Sequence, residues 1–328
     1  MDFTDFIAGK DDNGRRLDRV LQKILPQSPS SGIYSAIRKK LIRVNRQACK
    51  GNQQVFQGDC IQIASFLIKS QENPQNNYSN DKIKPDSVKS LDESDIVFMN
   101  EHILIVNKKS GISVQPGGKG VSLWEEVVQF YQKRQNVQSL SFKPGPLHRL
   151  DRFTSGLVAF SLSLEGARWF TEAMQAHQIN KDYLGVAQGH LKQRETWTDF
   201  LEDSDSGKSG FYTVKVSQAG EKAVTEAIPL SVSQTKPLTL LQFKIHTGRK
   251  HQIRCQSAYH GYPLYCDSAY NPDARDRNHQ KFFLHAYRLT FPKDNPLLLP
   301  ETVEAPLPDD FEKFLSLNLI NWDSQIIL

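Results

Sequence analysis

Pro146-Leu147-His148-Arg149-Leu150-Asp151-Arg152-Phe153-Thr154-Ser155-Gly156-Leu157 is the stretch on which the reading of this chain turns. It sets one acid, Asp151, among three potentially basic side chains, His148, Arg149 and Arg152, then passes through Gly156 into an apolar run ending at Leu162. The run reads as a strand and the polar part as the loop that feeds it. A positive neighbour favours the ionised form of a carboxylate, so such a loop suits a site that uses a charged acid. A purely structural loop, with an Asp or Ser capping backbone groups and the arginines in solvent, fits the same residues. A kinase-like catalytic loop is a poor match, because no Gly-rich nucleotide loop precedes it. Gly117-Gly118-Lys119-Gly120 is not a phosphate-loop pattern either. Short strands interleave with helical segments on both sides, with no regular strand–helix–strand alternation and no internal repeat. That pattern predicts an α+β domain around a mixed sheet rather than a doubly wound fold.

Two further stretches lie downstream. Lys181-Asp182-Tyr183-Leu184-Gly185-Val186-Ala187 reads as a strand in which Lys181 and Tyr183 share one face while Leu184 and Val186 share the other, toward the core. A cation and a ring on one face can hold a phosphate and stack a base; an ordinary half-exposed strand explains them equally. Thr247-Gly248-Arg249-Lys250-His251-Gln252-Ile253-Arg254 follows the alternating strand Leu241–Ile245. A helix predicted from near Arg249 puts His251, Arg254 and Ala258 on one face, with Gly261 as its stop. It suits an anion site at a helix start, an Arg partner for a buried acid, or a solvated basic helix end.

The chain has 328 residues, a net charge of +5, and 38% hydrophobic and 23% charged residues, a globular composition that suggests two domains. No apolar run approaches the roughly 20 residues of a membrane span. The start, Met1-Asp2-Phe3-Thr4-Asp5, lacks a signal sequence. Four cysteines, Cys49, Cys60, Cys255 and Cys266, are too few for a disulfide scaffold and lack the close pairing of zinc sites. Buried thiols in a reducing, cytoplasmic setting are expected. Charge is unevenly distributed. Between Arg15 and Ser65, ten basic residues face two acids, Asp18 and Asp59, a local +8 that leaves the rest of the chain acidic. Leu17, Val20, Leu21, Ile24 and Leu25 have helical spacing, ended by Pro26. Ser30 or Ser31 can cap a second helix that carries Ile33 and Ile37 and ends in Arg38-Lys39-Lys40. Ile42–Asn45 and Cys60–Ile63 alternate as strands. This basic module, residues 1–68, suggests an anionic partner. Residues 69–92 are polar and read as a linker, and residues 93–328 form the second domain.

At its three downstream stretches the sequence resembles the RluA-type RNA pseudouridine synthases. The family loop His-Arg-Leu-Asp-Arg-x-Thr-Ser-Gly-Leu is His148 to Leu157 here, Lys-x-Tyr is Lys181-Asp182-Tyr183, and Gly-Arg-x-His-Gln-Ile-Arg is Gly248 to Arg254. Asn107-Lys108-Lys109-Ser110-Gly111 and Phe283-Leu284-His285-Ala286 resemble two further family segments, in family order. The basic module resembles the S-four-type RNA-binding domain at Arg16-Leu17-Asp18-Arg19, Ile37-Arg38-Lys39, Ile42-Arg43-Val44-Asn45 and Gly58-Asp59. Departures stand at Lys109 (usually Pro, so the turn is expected to loosen), at Cys255-Gln256 (commonly Val-His) and at Cys266 (usually Gly). If that Gly needs a positive φ, Cys266 implies altered backbone.

The resemblance implies a catalytic domain on a mixed, largely antiparallel sheet with flanking helices. It also implies isomerisation of uridine to pseudouridine, with Asp151 as catalytic carboxylate, Arg254 as its ion-pair partner, and Tyr183 stacking on the base. Leu284 is expected beneath the base, with Arg152, Lys181, Arg149, His148, Arg249 and His251 toward substrate. RNA docking is expected of Arg16, Arg19, Arg38, Lys39, Lys40 and Arg43. The implied chemistry needs no cofactor and no metal. The implied partner is RNA, ribosomal before transfer RNA, bound by a monomer away from membranes. Two other readings stand beside it: a noncatalytic RNA-binding ribosome-assembly factor, and a hydrolase using Asp151 with His148, for which no nucleophile elbow is present.

Overall fold

The computed structural model describes residues 1–69, 90–117, 120–134, 139–204, 213–271, 274 and 281–322. Most of the expected linker, residues 70–89, lies outside the described residues. The chain divides into two compact units, Met1–Leu91 with Glu125–Gly145 and Leu162–Glu165, and Asp92–Trp124 with Pro146–Ser161 and Gly166–Leu328.

The first unit begins with β1 (Phe3–Ile7), β2 (Arg15–Arg16), α1 (Leu17–Ile24) and α2 (Ser30–Arg38). It continues with β3 (Ile42–Val44), β4 (Gln47–Ala48), β5 (Gln54–Val55), β6 (Cys60–Ala64) and α3 (Ser65–Lys69). Strands β1, β6, β3 and β4 form a sheet in that order. Leu17, Val20 and Leu21 of α1 and Ile33 and Ile37 of α2 are buried with Ile42, Ile61 and Ile63 of the sheet. Helix α2 starts at Ser30 behind Pro29, with no side-chain cap. Asp12 is fully buried and accepts the N–H groups of Gly9, Leu140 and Ser141 at 2.8–2.9 Å. One carboxylate thus fastens Leu140 and Ser141 to the N-terminal segment.

Next along the chain come β7 (Ile96–Met99), β8 (Ile103–Lys108), α4 (Leu123–Arg134), β9 (Gly145–Pro146), β10 (Ser155–Ser161), α5 (Leu164–Gln175) and β11 (Asn180–Gln188). They are followed by β12 (Glu195–Ser204), β13 (Thr213–Val216), β14 (Glu221–Val232), β15 (Leu238–Ile245), α6 (Gln252–Tyr259), β16 (Leu284–Thr290), β17 (Thr302–Glu304) and α7 (Asp309–Leu317). The large sheet of the second unit runs β13-β12-β14-β15-β11-β16-β10-β8-β7, with β17 on β16. It is antiparallel along this path except where β10 pairs with β16, the parallel pair that makes it mixed. Phe170 and Ala173 of α5 pack over Ile105, Leu157, Ala159 and Leu289. Phe311 and Leu315 of α7 pack over Leu184, Val186, Leu240 and Tyr287. Because helices cover the centre of the sheet, every residue of β10 is buried and β11 is buried from Asp182 to Ala187. The half-exposed alternative for β11 does not apply.

Candidate active site

The Asp151 loop is held from below by the turn that follows β8. Lys108, 1% exposed, donates its ammonium hydrogens to the carbonyls of Lys109, Ile112 and Arg152 at 2.9–3.1 Å. Burial drives this amine down to about 7, with the Asp151 charge opposing the shift. Gly111 and Arg152 exchange two further bonds of 2.8 Å, and Ser110 Oγ donates to the Phe153 carbonyl. Lys109 meets Asp95 at 2.8 Å. Beyond the loop, Gly156 sits at φ 106°, where a Cβ would lie 2.3 Å from the Ala286 carbonyl oxygen. Glycine is required there for β10 to reach β16, and that approach brings Ser155 within 2.9 Å of buried His285.

The guanidinium of Arg254, on α6, is shared between two acids. Nε and Nη2 form a two-pronged bond to Asp267 at 2.7 and 2.8 Å, and Nη1 donates to Asp151 Oδ2 at 3.0 Å. Asp267 is 1% exposed, and the Arg254 guanidinium also lies over the rings of Phe282 and Tyr270. Burial opposes the guanidinium charge, but the bonds to Asp267 and Asp151 outweigh it and its pKa rises. Asp267 therefore fixes the fork, and the remaining arm aims at Asp151.

His251 precedes α6 in the left-handed conformation, φ 51°. The Tyr270 hydroxyl accepts the Val214 N–H at 2.8 Å, so its own proton is directed to His251 Nδ1, 2.9 Å away. This assignment leaves the imidazole proton on Nε2, which lies 3.7 Å from Asp151 Oδ2. Burial lowers the His251 pKa, with the Asp151 charge opposing, and so favours the neutral ring. Asp151 Oδ2 is thus addressed from two sides, while Oδ1 takes no hydrogen bond from the described residues.

Asp151 lines a small cavity of about 70 Å³ whose walls include Tyr183 and Leu284. A second cavity, about 440 Å³, is bordered by Val114, Phe153 and Phe282. Arg149, Leu150, Asp151, His251 and Arg254 line both. Tyr183 is buried, and burial and the Asp151 charge push its phenol further above its usual range. An acid pinned by one arginine, beside a buried phenol and a leucine, is a pocket for a flat, partly apolar ring.

Residues 102–259 match the family model described as RNA pseudouridylate synthase. A ribosomal large subunit pseudouridine synthase C of Haemophilus ducreyi is 30% identical over 318 residues, 95% of this chain and 94% of the relative. The chain belongs to the RNA pseudouridylate synthase family. It is an isomerase that converts uridine in RNA to pseudouridine. The protein of the same name from Escherichia coli (strain K12) is 28% identical over 93% of both chains. Two solved structures share the fold: human RNA pseudouridylate synthase domain containing 1 at TM-score 0.54 and 21% identity, and domain containing 4 at 0.55 and 19%. They match 70% of this chain and 91% and 94% of their own.

Within this pseudouridine synthase the remaining expected residues are scattered. Arg149 is exposed and lines both cavities. Arg249 lines the small one while bonding Glu221 and the Lys222 carbonyl. Arg152 lies at the rim of the larger cavity over Phe153. Lys181 lines neither of the two. His148 also lines neither; Nε2 accepts the Ala159 N–H at 3.1 Å and the ring stacks on Phe170. Burial and the Lys181 charge lower it to about 3, so it is neutral. In the first unit, Arg16 pairs with Asp18, Arg19 bonds Gln22, Arg43 lies over Phe3, and Arg38, Lys39 and Lys40 are exposed.

Helix α6 begins at Gln252, not near Arg249, because Gln252 Oε1 accepts the Arg249 N–H and the Thr247 hydroxyl. These bonds hold Thr247–His251 as a loop. Cys266 keeps φ at 65°, so the backbone retains the left-handed turn and bears the strain of a Cβ, about 1–2 kcal/mol. Asp267, Tyr270 and Lys108 escaped the sequence reading as site residues. The departure at Cys266, one residue before Asp267, and the Asn107–Gly111 match are the signals the sequence offers for Asp267 and Lys108.

Proposed function

We propose that Asp151 is the catalytic carboxylate and that the substrate is structured RNA, specifically large-subunit ribosomal RNA. The observation that carries the catalytic part is the asymmetry of Asp151: Oδ2 is held by Arg254, and Oδ1 is unengaged among the described residues in a cavity walled by Tyr183 and Leu284. A stacked uridine must leave its helix to reach this cavity, at a cost of a few kcal/mol that stacking and pocket contacts offset. The C1′–N1 bond then breaks, N1 gains a proton, C1′ bonds to ring carbon five, and the proton on that carbon leaves. Asp151 assists that cleavage either by attacking the sugar or the uracil covalently or by helping to form an eliminated sugar intermediate, and Arg254 keeps its carboxylate oriented. Tyr183 stacks on the base as a neutral phenol, since its raised pKa disfavours the phenolate needed for a resting base. Leu284 lies under the base.

The ribosomal assignment is supported by relatives named for the large ribosomal subunit that match almost the whole chain. The S-four-like segment supports it as well, with its exposed Arg38, Lys39 and Lys40 as phosphate contacts. No helix of the described residues is long and apolar enough to cross a membrane, and we place the enzyme with its RNA in the cytoplasm.

Tritium release from RNA labelled at uracil carbon five tests the catalytic part. Asp151→Asn loses roughly 10³-fold or more in rate while still binding RNA. Substantial turnover by a clean Asp151→Asn preparation sinks the assignment. Pseudouridine mapping in a strain lacking the protein tests the substrate: the missing sites fall in large-subunit RNA, and losses confined to transfer RNA overturn that half alone.

A further inference from the structure

Beside the site lies a basin of about 560 Å³ that the chemistry above leaves unused. Met174, His177, Lys181, Lys222, Ile245 and His246 border it. Ile245 also lines the small cavity at Asp151, so the two hollows share a wall. Lys181 is two residues from Tyr183 on β11, about 6.6 Å along a strand. A phosphate attached to the ribose of a uridine seated at Tyr183 falls within that reach.

The electrostatics of the basin are one-sided. Among the described residues that line it there is no Asp or Glu. The Lys181 ammonium makes no hydrogen bond or ion pair with the described residues, although burial lowers its pKa to about 8. Lys222 is exposed and its ammonium is likewise unpaired among them. The basic groups around it already have partners: His246 meets Glu226 at 2.9 Å, and Arg249 takes Glu221. A half-buried ammonium without a counter-charge is costly, and an arriving anion repays that cost. Met174, Ile179, Val224 and Ile245 give the same basin an apolar floor, and its volume falls in the usual range for a small-molecule site.

We propose that this basin seats the nucleotide next to the flipped uridine, with Lys181 and Lys222 taking the phosphate that joins the two. The assignment rests on the pseudouridine synthase reading and extends it from one nucleotide to two.

The test uses the full chain and a large-subunit ribosomal RNA transcript tritiated at uracil carbon five. Lys222→Glu lowers kcat/KM about tenfold or more, whereas Lys222→Arg, which keeps the charge, stays within about twofold of the parent. With Asp151→Asn protein holding the RNA without turnover, amine acylation followed by mass spectrometry shows Lys181 and Lys222 protected and exposed Lys293 still reactive. Wild-type rates for Lys222→Glu, or equal acylation of Lys222 with and without RNA, overturn the basin. If the parent enzyme itself releases no tritium from any RNA, the underlying reading fails instead, so the two failures are distinct.

Discussion

All ten basic residues between Arg15 and Ser65 are exposed or half-buried, and among the described residues only Arg16 of the ten makes an ion pair. In the second unit, Lys108 and Arg254 are buried at 1% and 8% exposure, one on three carbonyls and the other on two carboxylates. The same charge does different physical work in the two places. Exposed cations attract a polyanion over a distance set by salt, about 8 Å at physiological ionic strength, without fixing any atom. A buried guanidinium with all its arms engaged attracts little from afar but holds one oxygen of one acid in place. Attracting a polyanion and orienting Asp151 are thus separable jobs; within the second unit, Lys181 is half-buried and Lys222 exposed.

The sharpest way to break this comparison is to loosen the buried half. Asp267→Asn leaves Arg254 with a neutral partner for two of its arms, so the arm on Asp151 loses its direction. Single-turnover tritium release should slow about 10²-fold and urea unfolding should show a loss of about 3 kcal/mol, with the salt dependence of RNA binding unmoved. A rate within twofold of the parent would mean that the buried pair does not orient the acid.

A smaller effect concerns pH. Burial lowers His285 to about 4, and burial with the Lys181 charge lowers His148 to about 3. Below pH 6.5 the unfolded chain binds protons at these two positions that the native chain refuses. Stability therefore falls as pH drops from about 6.5 toward 4, by up to about 1.4 kcal/mol per pH unit for each ring. Urea midpoints at pH 7 and pH 5 measure it, and His285→Gln should remove one share of the slope. A midpoint that does not move with pH contradicts the neutral, buried rings. Smallest in energy is the exposed half. If the first unit makes about four phosphate contacts, log affinity falls against log salt with a slope near −3. Replacing Arg38, Lys39 and Lys40 by Ala should flatten that slope by about 2 and change stability by less than about 0.5 kcal/mol. An unchanged slope would remove these side chains from RNA.

What the sequence shows and hides follows the same division. Helices α1 and α2, strand β10 and the charge excess of the N-terminal segment are legible because periodicity and composition are local. The ion pair of Asp151 with Arg254 is legible only through family-like motifs, since the two are far apart in the chain. Cys266 stands out as a departure from the family, but nothing local says that Arg254 needs a second anion, Asp267, to stay buried. The helical spacing of His251, Arg254 and Ala258 predicts a helix from near Arg249, whereas a single acceptor, Gln252 Oε1, holds the stretch before Gln252 as a loop. Burial of β11 from Asp182 to Ala187 depends on the helices that cover the sheet, which alternation within one strand does not report.

Strand β16 also orders events in time. It lies between β10, which the Asp151 loop feeds, and β11, which carries Tyr183, and it supplies Leu284. Every residue of the first unit has been made once synthesis passes Glu165, whereas β16 begins only at Leu284. Domains made first fold first. A growing chain therefore finishes its basic first unit well before it has an active site, and a chain halted short of β16 has no chemistry to perform on uridine.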